Sequence, residues 1–258
     1  MCSFDSYNKG EIPIRKKNRF AVIIPVYNHG PAVENVIAKT LGLGLPLFVV
    51  DDGSTDDTHE RIRRFKDIHI LRHSQNTGKG AAIMTGFLEA SRIANWAITL
   101  DADGQHNPQD AKRLVQAAEK GRRAIIVGRR IGMEGANVHW TSRFGRKFSN
   151  FWVRVSGGPW MSDSQSGFRI YPLPEAIQWG VKSRRFEFEV EVLVRAHWEK
   201  TPVIEVPVNV SYLPPRERIS HFRPWMDFLR NAKTFTRLIV LRFFIKLGSL
   251  PSVYKSKE

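Results

Sequence analysis

Between residues 20 and 128 the chain alternates short apolar runs with longer, half-polar stretches. The runs FAVIIPV (20–26), LFVVD (47–51), IHILR (68–72), WAITLD (96–101) and AIIVG (124–128) are rich in Val and Ile, as buried strands are. The stretches between them carry helix-start signals. Pro31 suits a first helical position, and STDDTHERIRRF opens with capping residues. GKGAAIMTGFLEASRIA follows a glycine turn, and Asn107 can cap a helix that begins at Pro108. This repeated alternation predicts an α/β protein with a mostly parallel central sheet and helices on both faces. Ligands of such sheets bind beyond the carboxyl ends of the strands. The unusual polar clusters fall there: YNHG after the first run, DDGSTDD after the second, HSQNTGKG after the third and DADGQ after the fourth. This half carries a site.

From residue 129 the pattern is less regular. RFGRKFSNFWVRVSG (143–157) reads as a helix, and SDSQSGFRIYPL (162–173) as a loop entering a strand. FEFEVEVLVRAHWEK (186–200) stays open. Its alternation over 186–192 favours a strand, its length and charge a helix. VIEVPVNVSY reads as an extended pair. No internal repeat or low-complexity block interrupts the chain.

Composition narrows the class. At 258 residues, 42% apolar and 25% charged, the chain is globular and can bury a sizeable core. One cysteine, Cys2, excludes an internal disulfide and a cysteine-built zinc site and fits a reducing compartment. Residues 1–18 are polar, with no apolar core of a secretory signal, and read as a flexible lead-in. The net charge of +15 favours polyanions, whether nucleic acid, anionic lipid or phosphorylated substrates. No apolar run reaches the ~20 residues of a membrane-spanning helix.

Asp101 and Asp103 pose the sharpest question, because carboxylates this close repel. In a strand, residues i and i+2 point the same way, ~6.5 Å apart. A hard divalent cation would neutralise both and hold a phosphate. A solvated turn is the plain alternative. DADGQ also approaches the DxDGT nucleophile motif of haloacid-dehalogenase-type phosphatases. Gln105 stands in place of its threonine, however, and the motif lies after the fourth strand instead of opening the chain. In DDGSTDDT, Asp56 or Ser54 can cap the next helix, which leaves Asp51 and Asp52 for a nucleobase or ribose. NTGKG offers flexible backbone and the cation Lys79 beside a helix start. The eight histidines show no metal-binding spacing.

Taken in order, VIIPVYN, VVDDGSTDDT, NTGKGAAIMTG, ITLDADGQH and SDSQSGFRIYP resemble a family 2 glycosyltransferase of GT-A fold, nearest to the dolichol- or polyprenol-phosphate mannosyltransferase branch. The resemblance runs from about residue 20 to 212. It implies a nucleotide-sugar donor bound against the first half of the sheet, contacted by Pro25, Tyr27, Asp51 and Asp52, with Lys79 nearby. It makes Asp101-Ala102-Asp103 the DxD motif, binding Mg2+ or Mn2+ with the donor diphosphate, and sets Gln105 at the same site. Arg129, Asp163 and Arg169 match acceptor-side positions, Asp163 and Arg169 together with Asp103 being the catalytic candidates. The implied chemistry is transfer with inversion at the anomeric carbon. Relatives often read YNE where this chain reads Tyr27-Asn28-His29. The QxxRW and TED motifs of processive synthases are absent, so one sugar is expected per acceptor.

The implied domain spans 19–213, with a nucleotide-sugar half (19–130) and an acceptor half (131–213). A lipid phosphate is ionised at pH 7 and needs no base, whereas a hydroxyl acceptor of a glycolipid or envelope glycan does. Asp163, Glu187 and Glu189 are the candidates for that base. A basic nucleic-acid-binding module would explain the charge but not carboxylates along the sheet edge, which repel phosphate. No nucleic-acid partner is expected. The tail (214–258) puts Arg230, Lys233 and Arg237 at helical spacings, with Met226, Leu229, Phe235, Leu238 and Ile239 as apolar area and Trp225 as an interfacial anchor. Arg242 and Lys246 interrupt the run that follows. The segment reads as an amphipathic helix lying on an anionic membrane, or as a terminal helix packed on the core. The first reading places the enzyme at the cytoplasmic face of the membrane.

Overall fold

The structure, a computed structural model, describes residues 18–131, 140–211 and 224–246. The expected lead-in before Asn18, with Cys2, lies outside the described residues. So do 132–139 of the expected acceptor half and the parts of the tail that flank its helix.

Among the described residues, seven strands form one sheet: β1 (Asn18–Val26), β2 (Leu47–Asp51), β3 (His69–Arg72), β4 (Ala94–Thr99), β5 (Ile125–Ile131), β6 (Arg169–Pro172) and β7 (Val203–Asn209). Their order is β3-β2-β1-β4-β6-β5-β7. All neighbours are parallel except β6, which runs antiparallel between β4 and β5. The helices are α1 (Gly30–Leu41), α2 (Thr58–Ile62), α3 (Lys79–Ala90), α4 (Ala111–Glu119), α5 (Trp140–Val155), α6 (Glu175–Gln178), α7 (Phe188–Trp198) and α8 (Pro224–Lys246). Asn107 accepts from Gln109 N at 3.1 Å and so starts the short 3-10 turn Pro108–Asp110 that leads into α4.

Side-chain alternation along β1 builds two cores. Phe20, Val22, Ile24 and Val26 meet Val33 and Ile37 of α1 and Leu114 of α4 on one face. Ala21 and Ile23 meet Ile83 and Phe87 of α3 and Phe188 of α7 on the other. The pairing of β1 with β4 ends at Ile23↔Thr99, while β1 continues beside β2 to Val26↔Asp51. Pro25 therefore places its missing N–H beyond the last β1–β4 pair, where an interior strand tolerates proline. The two strands part there, and the strand order reverses between them: from β1 the chain runs outward to β2 and β3, then returns to β4 on the other side of β1. This is a topological switch point.

Segment 186–200 holds the helix α7, Phe188–Trp198, and the packing explains its strand-like look. Phe188, Val192 and Ala196 form one i,i+4 row against the sheet, and Val190 and Val194 form a second row against α8. Two buried rows interleave as an apparent period of two. VIEVPVNVSY is one strand, not two. Its end bridges His106 through Val210, and Ser211 N donates to Gln105 O at 2.9 Å. STDDTHERIRRF yields only the five residues of α2.

The tail helix divides its side chains differently from the expected basic face. Phe235 and Leu238 are buried, with Phe235 stacked on Trp152 of α5 at 6.3 Å between centroids. Arg230 turns to Asp227 at 2.8 Å, and Arg237 Nη2 donates to Glu191 of α7. Of the three cations expected on one exposed face, only Lys233 is exposed. Glu191 is fully buried and also accepts from Ser183 N at 2.9 Å, Ser183 Oγ at 2.5 Å and Arg195 Nε at 2.6 Å. Burial pushes this carboxyl upward, yet the Ser183 hydrogen bond and the charges of Arg195 and Arg237 hold it below its ordinary value. Its stabilisation is thus present above the unfolded carboxylate range and fades as pH falls through the lowered value.

Glu191→Ala leaves two arginines without their buried partner. Such a loss costs about 3–5 kcal/mol, and partial exposure of Arg237 places the expectation at ~3 kcal/mol. Urea unfolding should show a lowered midpoint with an unchanged slope.

Candidate active site

The parting of β1 and β4 opens a cleft of about 510 Å³ at the carboxyl edge of the sheet. Pro25, Tyr27, Asp52, Lys79, Asp101, Ala102 and Asp103, all singled out from the sequence, line it together. Asp51, Gln105, Arg129, Asp163 and Arg169 do not.

The two acids after β2 hold backbone. Asp51 is fully buried, accepts from Ser54 N at 2.8 Å and pairs with His59 Nδ1 at 3.0 Å. Asp52 Oδ1 accepts from Thr77 N at 2.9 Å and Thr77 Oγ1 at 2.8 Å, and lies 2.7 Å from His73 Nδ1. Its Oδ2 accepts from Gly78 N at 2.7 Å. A carboxylate offers about four lone-pair sites, so Asp52 clamps the Thr77–Gly78 loop with nearly its full capacity. Gly78 has φ 109°, and a Cβ there would fall 2.5 Å from Arg184 O. Only glycine fits. Of the two candidate caps, Asp56 accepts from Thr58 N at 3.0 Å, while Ser54 Oγ accepts from Asn28 N. His29 Nδ1 donates to Tyr27 O at 2.7 Å and lines the cleft.

At the end of β4, Lys79 Nζ lies 2.7 Å from Asp101 Oδ1 and 2.5 Å from Glu189 Oε1 of α7. Burial acts to lower the lysine pKa, but these two carboxylates raise it above its ordinary value. Burial acts to raise Asp101, and Lys79 holds it below its ordinary value instead. Among the described residues Asp103 makes no ion pair and accepts only from Gln105 N, at 3.0 Å. Burial first, and the charge of Asp101 second, push it up to about 6. The pair thus keeps unrelieved repulsion, the condition a bound cation removes. Glu189, a candidate base, belongs to this buried bridge. Gly167 makes room for it, since a Cβ would sit 2.5 Å from Asp101 Oδ2 and 2.8 Å from Lys79 Nζ.

The acceptor-side candidates are placed unlike their expectation. Arg129 and Arg130 are adjacent in β5 and so point to opposite faces. It is Arg130 that grips Asp163, Nε to Oδ2 and Nη2 to Oδ1, each at 2.8 Å. Burial raises the Asp163 pKa, but Arg130 outweighs it and holds the group below its ordinary value. A buried carboxylate held low is a weak proton acceptor. Arg169 is fully buried. It donates to Ser166 O at 2.6 Å, Glu189 O at 2.8 Å and Ser164 O at 2.9 Å, so it positions the 164–166 loop and α7. Glu187 sits at the start of α7 and accepts from Arg185 N at 3.4 Å. Gln105 lines a separate pocket with His106 and Asn107. Asn76 of the NTGKG stretch, Arg185, Phe186, Asp227 and Arg230 also line the cleft, although none was singled out for it: Arg230 was expected on the basic stripe of the tail. Phe186 places its ring 5.9 Å from Lys79 Nζ.

A cleft at the switch point lined by paired carboxylates and a lysine fits the GT-A class of α/β transferases. The crystal structure of glucosyl-3-phosphoglycerate synthase from Mycobacterium tuberculosis, in complex with Mn2+, uridine diphosphate and glucosyl-3-phosphoglycerate, shares this fold. Its TM-score is 0.62 at 18% identity, covering 91% of this chain and 81% of that one. The chain belongs to glycosyl transferase family 2, whose model matches residues 21–172, more than half of the sequence. Among its relatives, the UDP-N-acetylglucosamine–dolichyl-phosphate N-acetylglucosaminyltransferase of Methanococcus voltae is 29% identical over 213 residues, 74% of this chain and 85% of the relative. The polyprenol monophosphomannose synthase of Mycolicibacterium smegmatis is 29% identical over 216 residues, 78% of this chain and 82% of the relative. The protein is a glycosyltransferase related to the polyprenyl-phosphate sugar transferases.

Gly167→Ala tests the space around the bridge, because the Gly167 backbone does not have the left-handed φ that alanine resists. Displacing Asp101 and Lys79 should lower kcat/KM for sugar transfer about 10²-fold, the scale of an ångström of misplacement. Circular dichroism should remain that of the wild type.

Proposed function

We propose that this glycosyltransferase moves one sugar from a nucleoside diphosphate donor to a polyprenyl phosphate, with inversion and with a divalent cation, at a membrane surface. The observation that carries the reading is the carboxylate pair. Asp103, held up at about 6 beside the ionised Asp101, lacks the counter-charge that Lys79 gives its neighbour. Two carboxylate groups opening on one cleft fit Mg2+ or Mn2+, leaving coordination positions for diphosphate oxygens. Asp101 and Asp103 would hold the ion, which supplies electrostatic stabilisation of the departing diphosphate. The Thr77–Gly78 loop, fixed by Asp52, and Tyr27 bound the nucleotide side, and Lys79 adds a cation at the leaving group.

The carboxylates favour a phosphate acceptor over a hydroxyl. Besides the metal-binding pair, Asp52 and Asp227 line the cleft, and both are engaged, Asp52 by the loop and Asp227 by Arg230. Glu189 is tied to Lys79 and Asp163 to Arg130. A phosphate oxygen attacks without surrendering a proton, so none of them is required as a base. Inversion then follows from a single in-line displacement.

The membrane part of the reading rests on apolar side chains facing water. Trp225 (82% exposed), Leu229, Phe243 and Phe244 lie on the outer side of α8, and Phe151 and Trp160 are also exposed. No helix among the described residues is long and apolar enough to cross a membrane. A helix with one stripe in the core and another in solvent suits the interface plane.

Two experiments test the proposal. Asp103→Asn should lower transfer from a nucleotide-sugar to a prenyl phosphate by about 10³-fold, the scale of several kcal/mol of charge stabilisation. EDTA should abolish wild-type turnover, and Mn2+ or Mg2+ should restore it. Full activity in EDTA, or in the variant, removes the metal from the mechanism. Replacing Phe243 and Phe244 together by Ser should cut co-flotation with anionic vesicles while leaving the unfolding midpoint in place. Unchanged flotation would refute the interfacial role of α8.

A further inference from the structure

The cations around the cleft are not equivalent. Lys79 is held between Asp101 and Glu189, and Arg130 is committed to Asp163. Arg185 and Arg230 are different. A guanidinium carries five N–H donors. Arg185 gives one to Asn76 Oδ1 at 3.0 Å, and Arg230 gives one to Asp227 Oδ1 at 2.8 Å. Among the described residues, the other donors of both groups are unengaged, and both side chains line the cleft.

Position separates the two. Arg185 packs on the nucleotide-side loop, for a Cβ on Gly78 would fall 2.5 Å from its Cγ. Arg230 comes from the first two turns of α8, outside the residues the family model matches. In those same turns Asp227 is buried and faces the cleft with Arg230, while Trp225, Met226 and Leu229 are exposed. Residues 227 and 230 stack on one side of the helix, and 225 and 229 on another. One short segment thus joins an anion-binding group inside the cleft to an apolar strip at its outer side. That arrangement complements an amphiphile with a phosphate head and a hydrocarbon tail.

We infer that the first two turns of α8 receive the acceptor. Arg230 binds the acceptor phosphate, and Trp225, Met226 and Leu229 take the adjoining part of the prenyl chain. Asp227 is a positioning residue, whose buried carboxylate aims the guanidinium. This assignment rests on the polyprenyl phosphate reading above and locates its acceptor.

Steady-state kinetics with short, water-soluble and long-chain prenyl phosphates test it, alongside calorimetric binding of the nucleoside diphosphate with Mn2+. Arg230→Gln should raise the acceptor KM about 10–100-fold, as for loss of hydrogen bonds to a charged group. Nucleotide affinity should stay within about twofold, since groups that share no partner act independently to within that range. Arg230→Lys, which keeps the charge but loses the fork, should recover part of the loss. Replacing Trp225 and Leu229 together by Ser should cost more with the long chain than with the short one. An Arg230→Gln enzyme whose nucleotide affinity falls as far as its acceptor affinity would move Arg230 to the donor. An unchanged acceptor KM, or a Trp225 and Leu229 double variant indifferent to chain length, would overturn the inference while leaving the acceptor class standing. A wild-type enzyme that refuses prenyl phosphates and glycosylates a hydroxyl would overturn both.

Discussion

Lys79 ties together three parts of the chain that are distant in sequence. It opens α3, reaches Asp101 at the end of β4 and meets Glu189 in the first turn of α7. An amine enclosed at this depth is tolerated only because both carboxylates answer its charge. The need for that bridge explains its surroundings. Gly167 must lack a side chain, Gly80 must let α3 approach Phe188, and Arg169 must fix the backbone of Glu189. The loop before β6, the helix that crosses it and the carboxylate pair are therefore one electrostatic unit. Asp103 stands at its edge as the carboxylate with no ion pair among the described residues.

The first half of the chain was legible in the sequence because its signals are local. A parallel strand buried on both faces must be apolar throughout, and its polar ends must then gather at one edge. Pro25, Tyr27, Asp52, Lys79, Asp101 and Asp103 followed from that rule and from the family resemblance, and they share the cleft. Asp51 followed the same rule yet turned into the protein, where Ser54 and His59 engage it. Sequence position marks the end of a strand but not the direction of the side chain beyond it.

The other half was less legible because tertiary contacts decide it. The apparent alternation of 186–192 comes from two buried stripes on one helix. The choice between Arg129 and Arg130 depends on which face of β5 meets the 163 loop, and spacing holds no record of that. Arg169 lies in a stretch that carries the family resemblance, but its donors end on three backbone carbonyls and the Tyr171 hydroxyl, where it works as a brace. Arg185 and Arg230 reach the cleft from segments with no motif at all. Only the packing of α7 on the sheet, and of α8 on α5 and α7, brings them there.

The divided face of α8 has a consequence for how the protein can change. Its inner stripe, Thr234, Phe235 and Leu238 with Arg237 on Glu191, is bound to the rest of the molecule by packing and charge. Its outer stripe, Trp225, Leu229, Val240 and Phe243, touches little that folding depends on. Substitutions along one angular sector of the helix are therefore filtered by stability, and those along the opposite sector are filtered only by what the enzyme meets outside itself. A descendant could adapt to a different environment by redrawing that outer sector alone, with the architecture beneath inherited intact.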